Sequence, residues 1–126
     1  MNPQFILAVA VGGAIGSVLR YLVAVGAGRV FGTHFPWGTL IINVTGSFLI
    51  GAFVGLFALK WDLPQAVRIF LTVGICGGYT TFSTFSLDAY YLIERGELVA
   101  AGLYMIASVA LSVAALVAAM QLVRLM

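Results

Sequence analysis

The sequence predicts an all-α membrane protein: four transmembrane helices, the third of them broken, paired with a second copy as an antiparallel, dual-topology homodimer. Three observations lead there. First, only ten of 126 residues are charged, six Lys/Arg and four Asp/Glu, while 63% are hydrophobic and the mean hydropathy is +1.14. At 8% charge there is too little polar surface to cover a globule in water, where about 25% is usual. Second, the charges divide the chain into four apolar segments, each longer than the roughly 20 residues a bilayer crossing needs. Third, the Lys/Arg residues balance across the two sides of the bundle. The chain reads as a single domain over residues 1–126, with helices at about 3–30, 36–59, 65–93 (broken near 75–80) and 97–125.

The same counts exclude several function classes. A net charge of +2 spread along the chain forms no basic patch for nucleic acid. One cysteine, Cys76, makes no intrachain disulfide, and one histidine, His34, has no ligand cluster around it for zinc. Little is left outside the membrane to build a water-facing catalytic cleft, so the chain is not expected to be an enzyme. The apolar stretch after Met1-Asn2-Pro3-Gln4 has no preceding Lys or Arg and exceeds the 7–15 residues of a signal-peptide core, so it reads as a retained first helix.

Helix one carries Arg20 beyond its midpoint. An arginine there either snorkels to the interface or reaches into a polar vestibule. Gly12, Gly13, Gly16 and Ser17 precede it, and such a run of small residues lets another helix approach closely.

Helix two follows the turn Gly32-Thr33-His34-Phe35-Pro36. Thr39, Asn43 and Ser47 lie at i, i+4, i+8, with Gly51 and Gly55 continuing the row. This stripe is either a helix-packing seam or a pore wall in which Asn43 offers its amide N–H to an anion.

Helix three follows Trp61-Asp62-Leu63-Pro64 and is unusual at its centre, Gly74-Ile75-Cys76-Gly77-Gly78-Tyr79-Thr80-Thr81-Phe82-Ser83-Thr84-Phe85-Ser86. Paired glycines and a Thr/Ser/Phe run are poor helix interior, which predicts a break. Unwound backbone at membrane depth is tolerated where it is buried in protein or lines a wet path, and its carbonyls are ready for a cation. Hydroxyls at the start of the second half-helix face the positive end of its dipole and suit an anion. Phe82 and Phe85, three apart, share a face, and ring edges attract anions without carrying charge.

Helix four, after Glu94-Arg95-Gly96-Glu97, repeats the stripe with Tyr104, Ser108 and Ser112 at i, i+4, i+8. Such hydroxyls either bond back to their own i−4 carbonyls or join the helix-two stripe in lining a narrow hydrated track.

Four antiparallel helices place Lys60, Arg68 and Arg124 on one side and Arg20, Arg29 and Arg95 on the other, three against three. Orientation follows Lys/Arg asymmetry, so a balanced chain has no strong reason to insert one way, and two opposed copies make a two-fold dimer. No carboxylate is expected centrally in a segment, Asp88 being placed near a helix end. A proton-coupled exporter of the small multidrug type, which needs an intramembrane acid, is therefore disfavoured. A non-transporting membrane subunit would leave the polar stripes without a purpose.

Gly12-Gly13 through Arg20-Tyr21, Asn43-Val44-Thr45-Gly46-Ser47-Phe48 and, above all, residues 74–86 resemble the signature stretches of the bacterial Fluc/CrcB fluoride channels. The resemblance implies a dual-topology homodimer in the bacterial inner membrane, with two pores that pass fluoride selectively and passively out of the cytoplasm. It implies that Phe82 and Phe85 are the pore phenylalanines. Asn43, Ser108 and Ser112 would hydrogen-bond along the path, with Ser83, Thr84 and Tyr104 as further members and Arg20 near a vestibule. It also implies a structural sodium ion at the dimer centre, held by the backbone carbonyls of Gly77 and Thr80 from both copies.

Overall fold

The computed structural model describes all 126 residues and contains helices only. Helix α1 spans Pro3–Phe31, α2 Trp37–Leu59, α4 Phe82–Glu94 and α5 Leu98–Leu125. Between α2 and α4, α3 (65–79) is α-helical over Gln65–Ile69, π-helical over Phe70–Cys76 and α-helical again over Gly77–Tyr79. Three helices, α1, α2 and α5, are each long and apolar enough to cross a membrane. At 1.5 Å per residue even α2 reaches about 35 Å, more than the ~30 Å hydrocarbon core.

Local chemistry sets the ends. Asn2 caps α1, its side chain accepting from the Gln4 N–H at 2.8 Å with Pro3 in the first turn. Gly32, at φ +81°, closes the helix by donating to the Gly28 carbonyl at 3.0 Å, a conformation that favours glycine. The loops pair up at the two ends of the bundle. At one end His34 Nε2 lies 2.9 Å from Glu97, and Arg95 bridges Glu97 at 2.8 Å and donates to the His34 carbonyl at 2.7 Å. At the other end Lys60 donates to the Met126 carbonyl at 2.7 Å. The α1–α2 and α4–α5 loops therefore share one end, and the α2–α3 loop shares the other with the end of α5.

Glycines govern the packing. A Cβ on Gly12 would lie 2.6 Å from the Phe70 carbonyl oxygen, one on Gly16 would strike the Ile75 carbonyl, and one on Gly78 would lie 2.6 Å from the Gly13 oxygen. Helices α1 and α3 thus touch backbone to backbone. On the other side α2 packs along α5, where a Cβ on Gly51 would meet the Leu116 oxygen at 2.7 Å. Without a hydrophobic drive between helices in lipid, such close approach supplies the dispersion contacts that hold them together.

Two sequence expectations are corrected here. The Gly77-Gly78 pair lies within helix, and the chain extends two residues later, at Thr80 (φ −82°, ψ 158°) and Thr81 (φ −152°, ψ 123°). Packing overrides propensity: Gly78 is needed against Gly13, while β-branched threonines accept an extended backbone readily. The carboxylate of Asp88 is not near a helix end but in the middle of α4, half-buried. Two hydroxyls satisfy it there, Thr39 donating at 2.6 Å and Tyr104 at 3.1 Å to the same oxygen.

Candidate ion pathway

The break positions the site because it ends one helix and starts another at the same place. In an unbroken helix the N–H groups of residues 81–84 would serve the carbonyls of residues 77–80. Here the Thr81 N–H goes to Asn43 Oδ1 at 2.9 Å, and Asn43 Nδ2 donates to the Thr81 carbonyl at 2.9 Å. Thr81 is also the N-cap of α4, its hydroxyl accepting from the Thr84 N–H at 3.1 Å. The carbonyls of Gly77 and Thr80 are thereby deprived of their helical donors. Both residues line the same cavity. A set of backbone oxygens alone suits a hard monovalent cation, so the residues present fit the sodium ion that the resemblance implies.

That cavity is a groove of ≈ 390 Å³ bordered by the break, α2 and α5. Asn43, Phe82, Phe85, Ser108 and Ser112 all border it, together with Ser47. No charged side chain lines it. The Ser108 and Ser112 hydroxyl oxygens are buried and make no hydrogen bond within the chain, so they do not bond back to their own helix. The rings of Phe82 and Phe85 lie 5.4 Å apart at 52°. Phe85 rests on Tyr104 at 5.2 Å, whereas Phe82 is 76% exposed on the open side of the groove.

The remaining expected residues fall elsewhere. Tyr104 is fully buried in the core with Leu40, Ala89, Leu92 and Ala101, its ring edge-on to Phe35 at 5.6 Å. It supports Phe85 from beneath rather than lining the groove. Thr84 and Arg20 border a second cavity of ≈ 290 Å³ with Ser17, Tyr21, Thr39 and Thr81. The Arg20 side chain is half-buried, and its Nε donates to the Gly78 carbonyl at 3.2 Å. Ser83 is exposed, borders neither cavity, and lies 3.3 Å from the Thr81 hydroxyl.

The helix-two stripe divides along its length. Thr39 holds Asp88, Asn43 holds Thr81 and Ser47 borders the groove, whereas Gly51 and Gly55 pack on α5. The stripe thus serves as a packing seam at its glycines and borders the groove at Asn43 and Ser47. Sequence reasoning missed the partnership of Thr39, Asp88 and Tyr104. Its only trace was three polar residues, each in register with its own helix, whose mutual contact depends on how the helices pack.

The CrcB family model, described as "CrcB-like protein, Camphor Resistance (CrcB)", matches residues 7–120. A relative from Nitrobacter hamburgensis, named fluoride-specific ion channel FluC 1, is 73% identical over 126 residues, covering 100% of both chains. The fluoride-specific ion channel FluC of Nitrobacter winogradskyi is 70% identical over 124 residues, 98% of each chain. That of Rhizobium johnstonii is 56% identical over 116 residues, 92% of this chain and 93% of the relative. With the family match spanning all five helices and these relatives aligned nearly end to end, the chain belongs to the CrcB family.

Proposed function

We propose that the protein is a passive, fluoride-selective channel of the bacterial inner membrane, active as an antiparallel dual-topology homodimer with two pores. The names of its relatives support the choice of ion. The observation that carries the mechanism is the pair of buried, unpartnered hydroxyls, Ser108 and Ser112, in a groove without charge. Leaving a buried hydroxyl unbonded costs about 1–3 kcal/mol, so two in register imply that a guest acceptor serves them.

Fluoride is small, strongly hydrated and a strong acceptor. Hydroxyls and the spare amide hydrogen of Asn43 replace its water one contact at a time, and the edges of Phe82 and Phe85 fill the gaps. With no charged side chain lining the groove, no deep well traps the anion. Chloride, larger and a weaker acceptor, recovers less of its hydration from the same donors.

A second copy completes the groove. Phe82 projects from an open face, and only 19 of 126 residues are buried in the isolated chain. In this reading residues 65–94 make the fourth crossing, and the carbonyls of Gly77 and Thr80 from both copies hold a sodium ion. Those carbonyls would hold the sodium ion, which would offset their dipoles where the two copies meet. Asn43 and the Thr81 cap keep those carbonyls free.

The test is efflux of fluoride and of chloride from liposomes containing the purified protein, with no pH gradient. Fluoride flux without chloride flux is expected; equal flux of both ions, or none, overturns the reading. A proton-coupled exporter is the second reading, favoured only by the mid-helix position of Asp88. It requires transport that stops when the pH gradient is removed.

A further inference from the structure

Arg20 is the one charge inside an otherwise apolar crossing, and beside the cavity it borders, its Nε has a specific partner. The break releases four carbonyls, those of Gly77, Gly78, Tyr79 and Thr80, because no N–H of residues 81–84 returns to them. Only one of the four, Gly78, receives a donor from the chain, and that donor is Arg20 Nε at 3.2 Å. The route is specific. A Cβ on Gly78 would meet the Gly13 backbone, and one on Gly16 would meet Ile75 and Tyr79, so the α1 turns preceding Arg20 lie directly on the α3 turn it serves. Gly77, by contrast, is exposed, its Cβ position meeting only the Thr72 oxygen at 3.8 Å, and it borders the groove with Thr80.

From this geometry we infer that Arg20 is a positioning residue for the cation site: it occupies the Gly78 carbonyl from the α1 side and so fixes which released carbonyls remain for the ion. The inference rests on the proposed sodium site of Gly77 and Thr80. The physical reason is rigidity. A peptide plane pinned by a charge-assisted bond does not swing its carbonyl, and the adjacent planes inherit that orientation. Fixed oxygens hold a cation of one size better than its neighbours; a loose set accommodates several. Arg20→Met frees the Gly78 carbonyl to compete for the ion and loosens the turn. Arg20→Lys keeps one N–H donor within reach of it.

Thermal unfolding of the purified dimer in sodium, potassium and N-methylglucamine chlorides tests this without any flux measurement. The wild type is expected to be stabilised by sodium above both other cations. Arg20→Met is expected to weaken the apparent sodium affinity by about tenfold or more, the usual effect of losing a group that orients a metal ligand, and to shrink the sodium–potassium difference. Arg20→Lys is expected to restore part of that difference. A merely structural role lowers the unfolding temperature equally in all three salts, and that result overturns the inference. If Arg20→Met does not assemble, Arg20→Lys and Arg20→Gln carry the comparison: cation discrimination like the wild type's in Gln and reduced in Lys, whose ammonium is the charged donor, also overturns it. A wild type blind to sodium overturns the cation site itself, and this inference with it; sodium-dependent wild type with unchanged Arg20→Met overturns this inference alone.

Discussion

The carboxamide of Asn43 and the backbone of Thr81 exchange two hydrogen bonds, Oδ1 accepting from the N–H and Nδ2 donating to the carbonyl, both at 2.9 Å. The contact imitates a pair of strand residues and joins α2 to the break. It leaves one amide hydrogen of Asn43 for the groove. Asn43→Ala strands the Thr81 N–H and is expected to cost about 2–4 kcal/mol, read by chemical denaturation in detergent. Asn43→Asp sets a carboxylate oxygen against the Thr81 carbonyl and places charge on the groove. Fluoride efflux at neutral pH should fall at least about tenfold, equivalent to ~1.4 kcal/mol of barrier. Unaltered throughput in Asn43→Asp would show that the residue only packs helices.

Ser108→Ala and Ser112→Ala remove hydroxyls that have no partner in the chain. Their stability should stay within about 0.5 kcal/mol of the wild type, or rise, since a desolvated group is deleted without breaking a bond. Fluoride flux should nonetheless fall. A loss of stability with flux intact would reverse the assignment and make both serines structural.

Phe82 and Phe85 separate function from folding in a different way. Phe82 is 76% exposed, so Phe82→Ile should leave the stability of the protomer nearly unchanged. Phe85→Ile loses the ring contact with Tyr104 and should cost about 0.5–1.5 kcal/mol beyond the change in buried area. Both are expected to abolish fluoride efflux while the dimer still forms by cross-linking or size exclusion. Normal flux in both would remove the rings from the pathway.

The α1–α3 contact gives a prediction about assembly alone. Gly16→Ala drives a methyl group into the Ile75 carbonyl, so the helices must separate, at a cost of about 1–3 kcal/mol or more. Gly102→Ala, whose Cβ meets nothing within 4 Å, should be neutral or gain up to about 1 kcal/mol of helix stability. Equal behaviour of the two variants in thermal unfolding would show that α1 and α3 are not held at backbone distance.

The triad of Asp88 is open to a similar test. Asp88→Leu leaves the Thr39 and Tyr104 hydroxyls without their acceptor and should destabilise by about 2–4 kcal/mol, whereas Asp88→Asn keeps an oxygen for both and should cost less than half as much. Denaturation midpoints of the two variants decide this, and similar values would show that the hydroxyls find other partners.

Much of this protein was legible from local rules. Apolar length set the helices, turn residues set their ends, and residue spacing placed Asn43, Phe82, Phe85, Ser108 and Ser112 on faces that the fold brings to one groove. These properties depend on period and composition, which a sequence states directly. Whatever depends on a partner from a distant helix was decided only by tertiary structure. Gly77 and Gly78 stay helical where α1 needs the bare backbone of Gly78 to lie against, and the break falls at Thr80 and Thr81. Asp88 survives in mid-helix because hydroxyls from α2 and α5 meet it there. Arg20, ambiguous as a letter in an apolar run, acquires a partner only when α1 packs closely enough for its Nε to reach the Gly78 carbonyl. In each case the free energy of a polar or unusual residue was fixed by a group far away in sequence.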